Sequence, residues 1–68
     1  METIKNLYYE AYRKYYFNYL AENEFEKVYF MGMADGYAKL FQKETDELGE
    51  YRDKAKTDAR RDFEFYRK

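Results

Sequence analysis

The sequence predicts an all-α protein: an antiparallel helical hairpin over about 4–21 and 24–44, then a charged C-terminal helix reaching about 66. Proline is absent and Glu, Lys, Tyr, Ala and Phe are abundant, so little interrupts a helix. Apolar residues recur at intervals of three and four rather than two. Between the first two runs stands Asn23 with Glu26 three residues on, a helix-start signature. The 68 residues allow one small helical domain, 1–68, with no repeat or linker within it.

The first helix takes Thr3 as its N-cap. Ile4, Tyr8, Ala11, Tyr15 and Tyr19 then share one face, with Leu7 and Tyr12 beside them and Glu2, Asn6, Glu10, Arg13 and Lys14 opposite. The pattern fades at Ala21. The Asn23 side chain is placed to accept from the N–H of Phe25 or Glu26, while Glu26 reaches back in a capping box. Glu24 and Glu26 put negative charge on the positive end of the new helix. So short a connection makes the two helices an antiparallel pair.

The second helix aligns Phe25, Tyr29, Met33, Gly36, Tyr37 and Leu40 along one stripe, with Phe30 and Phe41 at its edge. Gly32 and Gly36 lie within it, and each costs about 1 kcal/mol relative to Ala in a helix interior. Close helix packing, with a tyrosine of the first helix set on the bare backbone, is the expected compensation; a docking groove for a partner is the alternative. Beyond residue 44, Leu48, Tyr51, Ala55, Ala59 and Tyr66 keep a common phase that Asp58 and Asp62 interrupt. Because no Gly or Pro lies between Tyr37 and Leu48, one long helix, kinked near Gly49, is favoured. A third helix starting at Thr45-Asp46-Glu47 and folding back is the alternative.

Composition excludes much chemistry. Ser, Cys and His are all missing, so no Ser–His or Cys–His nucleophilic pair can be assembled and no disulfide or thiolate metal site can form. Thr3, Thr45, Thr57 and the tyrosines are hydroxyl candidates without an imidazole to activate them. Gly32, Gly36 and Gly49 are too dispersed to cradle a phosphate. The expectation is a protein that is not an enzyme and takes no cofactor or metal. A net charge of −1 argues against nucleic acid as the partner. No apolar run approaches the roughly 18 residues that would span a bilayer. Charged residues before position 20 rule out a signal-peptide core, and a cytoplasmic location is expected by default.

Tyrosine occupies positions 8, 9, 12, 15, 16 and 19. One neighbouring helix cannot cover rings on more than one face, so Tyr9, Tyr16, Phe17 and Leu20 are expected to form a surplus apolar flank that binds a protein. Asp58 and Asp62, on the inner stripe of the last helix, are the second candidates, meeting basic residues of that partner. From Asp46 to Lys68 acids and bases number seven each, with Glu50–Lys54 and Lys54–Asp58 at i,i+4 spacing. Arg52, Lys56, Arg60 and Arg67 share a broad side that suits phosphate.

The stretch Phe30-Met31-Gly32-Met33-Ala34-Asp35-Gly36-Tyr37 resembles the G-x-x-D-G helix of short helical accessory proteins of Gram-positive phages and mobile elements. That resemblance implies an inhibitor of a host protein, of the kind that includes anti-CRISPR proteins, at work in the host cell cytoplasm. It carries over no individual site residue. The functional expectation is therefore a non-enzymatic protein-binding module that inhibits by steric occlusion. The alternative is a structural homo-oligomer, two hairpins joined as a dimeric helical bundle. A nucleic-acid-binding accessory protein stands third.

Overall fold

A computed structural model of the chain describes residues 2–40 and 45–67, with side chains described over 4–40 and 48–67. Three helices account for nearly all of them: α1 (Glu2–Leu20), α2 (Glu24–Leu40) and α3 (Thr45–Arg67). Among the described residues there is no strand. Helix α1 already includes Thr3 in its first turn, so Thr3 is not the N-cap. The stretch 41–44, with Phe41, lies outside the described residues.

The α1–α2 connection is three residues long and built from backbone bonds. The Asn23 N–H donates to the Asn18 carbonyl at 2.9 Å and the Glu22 N–H to the Tyr19 carbonyl at 3.3 Å. Together these form a Schellman C-cap, which requires a left-handed residue at its apex. Glu22 takes that role with φ 61°. Asn23 does begin α2, its carbonyl accepting from Lys27 N–H at 2.9 Å. Its side chain, however, turns back to donate to Asn18 Oδ1 at 3.0 Å. The expected capping box is thus replaced by an amide pair across the turn.

Both other helices pack against α1, and α2 and α3 scarcely touch each other. Helix α2 runs antiparallel to α1: Lys27 lies over the Tyr19 ring, and further along α2 Phe30 meets Lys14, earlier in α1. Helix α3 runs parallel to α1, since Tyr9 meets Asp58 and Arg13 meets Asp62. The favoured continuous helix is therefore not what the chain adopts. A straight extension of α2 would carry residues 45–67 away from α1, whereas folding back buries Leu48, Ala55 and Ala59.

Among the described residues the buried ones are Tyr8, Ala11, Ala34, Leu48, Ala55 and Ala59; Ile4, Tyr12, Met33, Tyr37, Ala38 and Tyr51 pack around the first four. Four of the six buried residues are alanines, and Ala55 and Ala59 are 0% exposed. Small residues where helices meet let the backbones approach closely, and the large rings line the seams instead. Along α1, Tyr8, Tyr12, Tyr15 and Tyr19 contact one another in sequence, with centroids 5.8, 5.1 and 6.3 Å apart. Tyr8 sits in the core; Tyr19 is exposed.

Candidate interaction surface

The α1–α3 seam gathers most of the side chains singled out in the sequence. The Tyr9 hydroxyl donates to Asp58 Oδ2 and accepts from Arg13 Nη1 at 3.0 Å. Arg13 in turn holds Asp62 through Nε and Nη2, both 2.7 Å from the same carboxylate oxygen. Arg61 reaches Asp58 Oδ1 at 3.0 Å. One turn further, Arg60 Nη2 donates to the Tyr16 hydroxyl at 3.0 Å. Phe17 meets Phe63 and Tyr66 edge to face, with centroids 6.2 and 5.3 Å apart. Leu20 is half-buried at the end of α1.

Tyr9, Tyr16 and Phe17 therefore do not form a surplus flank. A surplus flank requires a single helical neighbour for α1, and α3 supplies a second. Asp58 and Asp62 interrupt the α3 stripe because each faces a polar group of α1. Long cations cover the ring faces, with Arg13 and Lys54 over Tyr9 and Lys56 and Arg60 over Tyr16, all 5.6–5.9 Å from the centroids. Of the basic residues that suit phosphate, Lys56 and Arg60 are thus engaged with Tyr16, and Arg67 lies 3.6 Å from Glu64.

The electrostatics of the seam suit a joint between helices. Partial burial, then the hydrogen bond to Asp58, pushes the Tyr9 hydroxyl above the ordinary phenol range. Burial raises Tyr8 and Tyr12 as well. Asp58 is held below the usual carboxylate range, first by the Tyr9 hydroxyl and then by its cationic neighbours. Hydrogen bonding to Asp62 raises Arg13. A raised phenol stays protonated and donates; a nucleophile or base needs the opposite shift. Among the described residues no cluster of acids is placed to hold a metal ion, and no helix is long and apolar enough to cross a membrane.

A different surface is left uncovered. Ala34, Ala38, Met33 and Tyr37 are the α2 residues that pack towards the core. The opposite side carries Phe25 (82% exposed), Val28 (61%), Tyr29 (59%) and Leu40 (66%). The first three adjoin one another beside Glu24. Gly32 and Gly36 continue the line, and a Cβ built on either meets nothing within 4 Å. The expected packing of these glycines under a tyrosine of α1 is therefore not found. Of the predicted α2 stripe, only Met33 and Tyr37 point inward; Phe25, Tyr29, Gly36 and Leu40 point away.

Large rings favour the opposite face of α2 for the core, since apolar residues occur on every side of this helix. A usable signal was present in its charges. On a helix of 3.6 residues per turn, Asp35 and Lys39 flank the Gly32 line away from Ala34, although Glu24 falls midway and Lys27 lies on the Ala34 side, its long stem passing along the seam to the Tyr19 ring. The two glycines together cost about 2 kcal/mol of helix stability relative to alanine, with no internal contact to offset them. Compared with protein-family models, curated proteins and solved structures, the chain matches none.

Proposed function

We propose that this chain is a non-catalytic protein-binding module whose contact surface is the outward face of α2. The observation that carries the reading is the exposed line Phe25–Val28–Tyr29 running on into Gly32, Gly36 and Leu40. Exposed contiguous apolar side chains mark interaction sites, and aromatic residues dominate binding hot spots. Bare glycine backbone beside them admits a second helix at close range. A chain without Ser, Cys and His adds to this by lacking the usual nucleophile–base pairs.

Occlusion is the mode of action that such a surface supports: a preformed apolar helix covers whatever it docks on. The resemblance of 30–37 to phage accessory proteins would make the occupant a host protein, and the bundle reading would make it a second copy. The test is capture from a bacterial lysate and from solutions of the purified protein, comparing wild type with the double variant Phe25→Glu/Val28→Glu. Both positions are exposed, so the variant should keep the wild-type circular dichroism and melt. Wild type is expected to retain a protein, foreign or itself, that the variant loses and that Phe65→Glu on α3 keeps. Equal retention by all three chains overturns the assignment.

A further inference from the structure

We propose that the occupant of the α2 face is a second copy of this chain, its α2 laid antiparallel across the first at Gly32 and Gly36. The inference rests on the reading of that face as a protein contact and names the partner. It follows from how the face maps onto itself. With helical geometry of 3.6 residues per turn and 1.5 Å rise per residue, a two-fold axis level with Ala34 sets Gly32 of one copy opposite Gly36 of the other. The same operation brings Tyr29 beside Leu40 of the second copy, and Val28 beside the Lys39 stem. Every exposed apolar residue between Val28 and Leu40 on the face centre then meets a complementary one, as a self-complementary two-fold interface requires.

Charge favours the antiparallel sense. Glu24 opens α2 and Lys39 closes it, both on the same flank of the exposed face. Antiparallel pairing brings Glu24 towards Lys39 of the other copy and opposes the helix dipoles head to tail. Parallel pairing would gather both Glu24 residues at one end and both Lys39 residues at the other, and would align the dipoles. Asp35, close to the two-fold on that flank, faces its own copy, and Asp35→Asn removes this repulsion. The area is that of a weak contact. Within the paired span, the exposed parts of Val28, Tyr29 and Leu40 come to about 350 Å² per copy. A pair covers about 700 Å², short of the roughly 1,000 Å² of a stable interface.

Sedimentation equilibrium between about 1 μM and about 1 mM, a range bracketing the weak affinity expected of that area, tests the proposal. Wild type is expected to pass from monomer to dimer. Gly32→Leu/Gly36→Leu should melt higher as a monomer, because leucine is the better helix former, yet dimerise at least about tenfold more weakly. Asp35→Asn should dimerise more tightly. The chain has no cysteine, so the register can be read by oxidation. A mixture of Val28→Cys and Lys39→Cys chains should give the mixed disulfide ahead of either symmetric one.

A wild type that stays monomeric throughout overturns self-pairing. The binding reading itself is judged separately by the Phe25→Glu/Val28→Glu capture, where a foreign protein lost by that variant would identify the other class of occupant. A dimer that keeps its affinity in the glycine double variant, or that yields symmetric Val28→Cys disulfides, also overturns the proposal.

Discussion

Arg13 of α1 grips Asp62 of α3 at 2.7 Å, one turn beyond the point where Tyr9 meets Asp58. The two pairs share the sequence separation of 49 residues, which is what parallel helices in register produce. They decide how α3 lies along α1 more than how strongly it is held. The Arg13 and Asp62 side chains are about a third exposed (35% and 40%), and such partly solvated pairs contribute little net stability. A double-mutant cycle with Arg13→Met and Asp62→Asn should give a coupling below about 1 kcal/mol in denaturant melts. Tyr9→Phe, which removes bonds to both Asp58 and Arg13, should lower the melting temperature more than Tyr15→Phe, whose hydroxyl makes neither.

Stability should decline at both ends of the pH range. Asp58 is held below its unfolded value, so its contribution is complete above about pH 4 and is lost as pH falls through the folded value. Tyr8, Tyr9 and Tyr12 are raised, so their contribution is complete below about pH 10 and is lost as pH rises through their folded values. Thermal melts across pH should show both arms. Asp58→Asn should flatten the acid arm, and phenolate absorbance should lag behind that of free tyrosine on the alkaline side.

Ala55 and Ala59 have no exposed surface, so α3 has no room to grow where it meets α1. Ala59→Leu should cost about 1–3 kcal/mol by forcing the helices apart, and chemical denaturation would measure it. Ala59→Gly should also destabilise, by about 1 kcal/mol, through lost helix propensity. Improvement in both directions would mean that the α1–α3 contact is looser than described.

Glu22 holds the left-handed apex of the α1–α2 turn with φ 61°. An L side chain there costs roughly 1–2 kcal/mol, and glycine avoids it at the expense of greater unfolded-state entropy. Glu22→Gly should therefore raise stability by about 0.5–1 kcal/mol. The gain should appear in thermal melts without a change in helix content. A loss of stability would show that the Glu22 side chain contributes more than its backbone costs.

Helices and their first break were legible in the residues. An unbroken sequence of helix formers with apolar spacing of three and four leaves the chain no other regular structure, and Asn23 with two glutamates marks where α2 begins. The absence of Ser, Cys and His bears on chemistry in the same direct way. What partnered Tyr9, Tyr16 and Phe17 was not legible. Their contacts on α3 lie 40 to 49 residues away, and a periodic pattern states which face is apolar without stating what covers it.

The same limit decided α2. Its apolar residues surround the helix, so local pattern allowed either face to turn inward, and large rings suggested the wrong one. Tertiary packing chose the Ala34–Ala38 side, because small residues let α2 approach α1 closely while Tyr8 and Tyr12 fill the space between. That choice left Phe25, Val28, Tyr29 and the two glycines outward. Local sequence determined where helices form, since helix formation depends on neighbours within a turn or two. Only the folded chain decided which faces meet, because that depends on close fit between residues far apart in sequence.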